Sequence, residues 1–276
     1  MRPSDGPGSR RYTFGDDAPA RRRLRLLSEV LAPSSTTLLD EWVEGAPGVA
    51  LDLGSGPGFS TALVAARSGP RHTVGLDQSP TFVARATRMF PTLQFVRHDV
   101  TDVPFPTSPP DLIFARLVLA HLADPAAVAR RWAGELAPGG RLLIEETEWI
   151  EATTSVLAEY ETRVRAVVAH HGAPMTAGPL LASVDDQDDW RALRNTVRTI
   201  PVPVAIAARI YALNLSSWRR DPYAVEHFGD ACLDELAAGL EDLATRARGQ
   251  LTWGLRQLVV ARDVRRSADG FASEDR

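Results

Sequence analysis

The stretch Ala50-Leu51-Asp52-Leu53-Gly54-Ser55-Gly56-Pro57-Gly58 decides how the rest of the chain is read. A short apolar run enters three closely spaced glycines, and an Ala-rich helical pattern follows from Phe59 to Ser68. That order predicts a strand, a tight turn and a helix. Backbone without Cβ turns sharply and lets a ligand approach closely. On its own the turn also fits any strand-to-helix connection, so the acids further along carry weight. Asp77 closes the next apolar run, Thr73–Asp77, where a carboxylate can accept both hydroxyls of a ribose. Ser79 competes with it as the cap of the following helix. His98-Asp99-Val100 follows a third strand, Leu93–Arg97, and an acid there can accept from an adenine amino group. All three positions fall at strand C-termini, where open α/β sheets bind ligands. The glycines are spaced G-x-G-x-G, and residue 59 is Phe where the dinucleotide fingerprint wants Gly, so the turn does not match a nicotinamide dehydrogenase.

Working outward, the pattern predicts a helix over Pro80–Phe90, a fourth strand over Asp111–Ala115 and a fifth over Arg141–Glu145. A helix opening at Asp124-Pro125, an N-cap with Pro behind it, and ending at Pro138-Gly139-Gly140 lies before the fifth strand. Strands alternating with helices argue for a parallel sheet covered on both faces. Upstream, Pro19–Leu31 and Ser34–Val43 read as two helices parted by Pro33. Beyond Glu146 the alternation stops. Val156, Tyr160, Val164, Val167 and His171 mark a helix, Arg191–Val202 a strand, and Val204–Trp218 a helix. Leu233, Leu236, Leu240 and Leu243 mark another helix before a last strand, Thr252–Ala261. The expected organisation is an N-terminal tail and helical lid (1–46), a ligand-binding core (47–150), a cap selecting the substrate (151–220), a closing helix and strand (221–264) and a loose tail (265–276).

Composition removes several function classes. The 276 residues carry 31 basic and 35 acidic side chains, a net charge of −4, which gives no global field for nucleic acid. No apolar run reaches the roughly 18 residues of a membrane span, and no apolar stretch follows the Arg-rich start as in a signal peptide. The expectation is a cytoplasmic protein without nucleic-acid or membrane partners; oligomeric state is not legible. Cys232 is the lone cysteine, so no internal disulfide forms and no thiolate metal site is expected. All 31 basic residues are Arg, which excludes a Schiff base, a lysine base and a P-loop lysine.

The segments LDLGSGPG (51–58), VGLDQS (74–79), HDVTDVPF (98–105), DLIFARLVLAHLADP (111–125) and LAPGGRLLIEE (136–146) together resemble the class I S-adenosylmethionine-dependent methyltransferases. Within them the chain is most similar to the trans-aconitate and quinone-biosynthesis types acting on small molecules. The resemblance implies an α/β, Rossmann-like, doubly wound seven-stranded sheet, mostly parallel with an antiparallel last strand. A helical N-terminal segment and a helical cap after strand five would complete it. It implies Gly54, Ser55, Gly56 and Gly58 around the methionine part of S-adenosylmethionine, Asp77 on the ribose with Gln78 beside it, and Asp99 and Val100 at the adenine. Arg116 and Leu117 would flank the reacting methyl, and Tyr12 and Phe14 would belong to a lid over the cofactor.

Methyl transfer from a sulfonium is an in-line displacement whose main demand is alignment, so a general base is needed only where the nucleophile must lose a proton. His121 and Glu146 are the candidates, with Glu145 and Glu148 following the same strand. The function expected is methyl transfer to a small-molecule acceptor in metabolite tailoring. The alternatives are a protein of this fold that binds the cofactor without transferring methyl, and a macromolecular methyltransferase. Arg21-Arg22-Arg23 is the sole support for the last and equally suits a solvated helix start.

Overall fold

In the computed structural model, which describes residues 15–263, the opening helix is longer than its sequence suggests. α1 runs unbroken over Ala18–Trp42, 25 residues, with Asp17 as its cap and Pro33 inside it. The two-helix expectation is therefore corrected. Proline within a helix costs about 3 kcal/mol. Buried Leu31, Leu38 and Leu39 offset it, since a fully buried leucine contributes roughly 1.5–3 kcal/mol. Ser34 and Ser35, on the turn that Pro33 opens, both donate to the Glu145 carboxylate, Ser34 at 2.8 Å.

β1 (Val49–Leu53) leads through the glycine turn into α2 (Phe59–Ser68), then β2 (His72–Asp77), α3 (Pro80–Met89) and β3 (Gln94–Arg97). β4 (Leu112–Arg116) follows a long loop, and α4 (Pro125–Gly134) stops before the Pro138–Gly140 turn. β5 covers Arg141–Ile150 and is followed by α5 (Ser155–His170) and the short α6 (Gly178–Leu181). β6 (Trp190–Pro203), α7 (Val204–Trp218), α8 (Pro222–Phe228), α9 (Asp230–Arg246) and β7 (Gln250–Arg262) complete the order.

The seven strands form one sheet in the order β3-β2-β1-β4-β5-β7-β6. β7 runs antiparallel to both of its neighbours, and the pairings β3–β2–β1–β4–β5 are parallel. β5 extends five residues past Glu145 because β7 pairs with it as far as Ile150↔Trp253. Glu146 and Glu148 thus lie within the strand rather than after it. The strand expected over Arg191–Val202 is found as β6 of this sheet, although it lies within the 151–220 stretch expected to form the cap.

The central strands are apolar on both faces, as buried parallel strands must be. Leu51, Leu53, Ile113, Ala115, Leu142 and Ile144 pack under α4, whose Trp132 donates from Nε1 to the Val100 carbonyl at 2.8 Å. Ala50, Leu112, Phe114 and Leu143 pack against Leu38, Leu39 and Val64 on the other face. A third cluster joins α5, α7 and α9 to Leu31 and to the Ile200–Val202 and Leu251–Leu255 ends of β6 and β7.

Candidate functional site

The strand order reverses between β1 and β4, and a cavity of about 500 Å³ opens where those two strands end. Crevices of this kind are where doubly wound sheets take ligands. Gly54, Ser55 and Gly56 line it, as do Asp77, Gln78, Asp99, Val100, Arg116, Leu117, His121 and Glu146. Gly58 does not. It caps α2 at φ +89°, and a Cβ there would lie 2.9 Å from the Phe95 ring. Tyr12 and Phe14 lie outside the described residues.

Each part of the floor has a visible cause. Gly54 has φ +68°, and a Cβ on it would meet Val118 Cγ2 at 2.5 Å, so only glycine lets the two turns approach. The Asp77 carboxylate is fixed by backbone: Oδ2 accepts from Gly56 N–H and Oδ1 from Ser79 N–H, each at 2.8 Å. Burial pushes its pKa up, the two amides pull it down, and Asp16 pushes it up further. Asp16 in turn accepts from the Ser79 hydroxyl at 2.7 Å, tying the start of the described chain to this loop.

Asp52, beneath the turn, was not singled out by the sequence. Its Oδ2 accepts from Ser60 at 2.7 Å and Thr61 at 2.6 Å, while burial raises its pKa to about 6. These bonds clamp the start of α2 to β1. Arg116 donates to Ser35 at 2.9 Å and to Ser28 at 3.1 Å. Burial lowers its pKa, whereas Glu145 and Asp52 favour its charge.

The wall after β4 is held in an unusual conformation. Leu117 has φ +55°, the one positive value among described non-glycine residues. Non-glycine residues kept there are strained and persist only where neighbours fix them. Here the Leu117 N–H donates to the Glu145 carbonyl at 2.9 Å. Glu146 Oε1 accepts from Val118 N–H at 2.7 Å and Leu119 N–H at 2.6 Å. Glu146 is fully buried, and its pKa rises to about 7. Glu145 and Glu148 face elsewhere: Glu145 accepts from Ser34, Ser35 and Gln257, and Glu148 forms a two-pronged pair with Arg256 at 2.6 and 2.8 Å. His121 is kept neutral, its pKa driven to about 3 by burial and by Arg23.

Beyond the strand ends the cavity continues among α1, α5, α7, β5 and β7, bounded by Leu27, Ile150, Tyr160, Tyr211, Asn214 and Trp253. Arg23 belongs to this wall and is buried, contrary to the solvated helix start read from the triplet; Arg22 is exposed. Among the described residues no His/Cys/Asp/Glu cluster suits a metal ion, and no helix is long and apolar enough to cross a membrane.

The donor set fits a nucleoside sulfonium. A backbone-fixed acid, Asp77, lines the floor at the end of β2, a second acid lies one strand further, and the buried Ser55 hydroxyl in the floor has no hydrogen-bond partner among the described residues. Comparison with known proteins agrees. A family model described as a methyltransferase domain matches residues 51–144. The trans-aconitate 2-methyltransferase of Methylobacterium nodulans is 34% identical over 174 residues, 63% of this chain and 67% of that protein. The protein of that name in Methylobacterium radiotolerans is 39% identical over 141 residues, 51% of this chain and 49% of its own length. The cyclopropane synthase MmaA2 of Mycobacterium tuberculosis shares the fold, with TM-score 0.51, 17% identity and 83% of each chain covered. A strand-end crevice with this floor, together with that likeness, places the chain among the class I S-adenosylmethionine-dependent methyltransferases.

Proposed function

We propose that this chain transfers a methyl group to a small-molecule acceptor held between α1, α5 and α7, in a tailoring step of small-molecule metabolism. The observation that carries the reading is the continuity of one cavity from the Gly54–Gly56 turn and Asp77 to the chamber around Tyr160 and Tyr211. When bound, S-adenosylmethionine would supply an electrophilic methyl on sulfur, its C–S bonding pair remaining with the thioether product while the acceptor provides the lone pair for the new bond. Gly54, Ser55 and Gly56 surround the methionine part, Asp77 accepts from the ribose hydroxyls with Gln78 alongside, and Asp99 and Val100 frame the adenine. Arg116 and Leu117 border the methyl-bearing end. Holding acceptor and donor in line supplies roughly 7–11 kcal/mol of barrier reduction without a proton transfer. His121, neutral and with a pKa of about 3, is a weak base and serves as wall. Glu146 spends Oε1 on the turn amides and acts as a positioning residue, setting Leu117 and Val118 against the cofactor.

The test is calorimetric titration of S-adenosylmethionine and S-adenosylhomocysteine into wild type and Asp77→Ala, followed by detection of S-adenosylhomocysteine formed with candidate acceptors. Micromolar binding weakened at least tenfold by Asp77→Ala supports the assignment. No binding by folded wild type, or binding with no turnover on any small acceptor, would sink it.

A further inference from the structure

The cavity has two chemically different ends. Beside the ends of β2 and β3 it is lined by polar side chains, Asp77, Gln78 and Asp99 among them. Toward α5 and α7 it widens into a chamber that shows carbon. Leu27 of α1, Ile150 at the end of β5 and Met175 between α5 and α6 line this chamber. Each is half-buried and packs on the third hydrophobic cluster, so each keeps apolar surface open inside a concave space. Covering such surface is favourable in proportion to its area.

The aromatic residues there turn their polar tips into the helical layer. The Tyr160 hydroxyl accepts from Asn214 Nδ2 at 2.7 Å. The Tyr211 hydroxyl and the Trp253 indole N–H are both buried, and the hydroxyl is directed at Glu161 on α5. Glu161 is itself only 8% exposed. What Tyr211 and Trp253 offer the cavity is therefore ring carbon. A wall made to hold a polar body would aim these groups inward, where the ligand could satisfy them, because an unmet buried donor is costly. Resting on the methyl-transfer reading above, we propose that the acceptor carries an apolar body, alkyl or aryl, that lies against Leu27, Ile150, Met175 and Trp253 while its nucleophilic atom faces the Leu117 end of the cavity. Selection by these side chains falls on the body of the molecule rather than on its head group.

The probes are butanoate, hexanoate and octanoate, the 1-alcohols of the same lengths, and trans-aconitate, whose six carbons include no apolar stretch. Each is titrated by calorimetry into the full chain loaded with S-adenosylhomocysteine. Loading is measured first: a protein that fails to load refutes the methyl-transfer reading, whereas a loaded protein tests the acceptor class alone. Within a series the head group is constant, so the charge of the walls cancels and the slope reports the body. The expected result is one molecule bound per chain, tightened about fourfold by each added methylene in both series, and octanoate bound more tightly than trans-aconitate. Met175→Gln and Ile150→Thr put polar atoms in the chamber, and each should cost the eight-carbon probes about threefold or more relative to the four-carbon ones. A slope under about twofold per methylene, trans-aconitate bound more tightly than octanoate, or slopes unchanged in both folded variants would each overturn the proposal. The wild-type slopes decide the matter even where neither variant folds.

Discussion

Glu146→Gln is expected to change how stability depends on pH while leaving the turn beyond β4 in place. The native carboxyl has its pKa raised from an ordinary 4.5 to about 7 because burial outweighs the amides it accepts from. Below pH 4.5 folded and unfolded chains both hold this proton, and well above pH 7 both have released it. Between those limits only the folded chain keeps it, so the wild type loses stability as pH rises through the window. Each decade of proton affinity is about 1.4 kcal/mol, so the span from 4.5 to about 7 amounts to about 3 kcal/mol. Gln cannot titrate, yet its amide oxygen can accept from Val118 and Leu119 as Glu146 Oε1 does. The assay is urea denaturation of both proteins at pH 4.5 and pH 8. Comparing the change in one with the change in the other cancels every group they share, including Asp52. The variant should gain about 3 kcal/mol on the wild type between the two pH values. A difference that stays constant within 1 kcal/mol would refute the claim that the folded chain holds Glu146 as an acid.

Further outcomes follow from the same contacts. Gly54→Ala puts a methyl 2.5 Å from Val118 Cγ2 at φ +68°, and a loss of about 2–4 kcal/mol by denaturation is expected. Adding Val118→Ala should recover part of it. Glu148→Ala strands the Arg256 guanidinium, whose side chain is 10% exposed, and should cost about 3–5 kcal/mol, read as a fall in Tm. Pro33→Ala restores a backbone donor inside α1 and should stabilise by about 1–3 kcal/mol; a loss of stability would show that Pro33 sets a bend the packing needs.

The sheet was legible because its central strands are buried on both faces, so Leu112–Ala115 and Leu142–Ile144 appear as bare apolar runs and Val49–Leu53 as one broken only by Asp52. β5 past Glu145 was not, because Glu146–Ile150 reads ETEWI with no sustained apolar alternation and owes its extension to β7. α8 hid in seven residues behind the Asp221 cap, too few for a period to show. Of the site, the glycine turn and its acids announce themselves by position after strands. Glu146's bond to a strained turn and Asp52's clamp on α2 exist only once β4, β5 and α2 are assembled. Arg23 did leave a signal: with Leu27 and Leu31 it repeats every four residues along the buried stripe of α1, and the neighbouring arginines masked it.

The place of β7 bears on how the chain acquires its shape during synthesis. Of the seven described strands β7 is made after the other six, yet it supplies every ladder contact of β6 and separates that strand from β5. Until Gln250–Arg262 emerges, the 14-residue β6 has no sheet to join and β5 ends in an open edge, the arrangement most prone to pair with another chain. Before that, the chain is a five-stranded half-sheet carrying the Gly54–Gly56 and Asp77 side of its crevice, and the wall around Trp253 arrives only afterwards. A stop codon ahead of Gln250 would strip two strands rather than one, and with them the far side of the pocket.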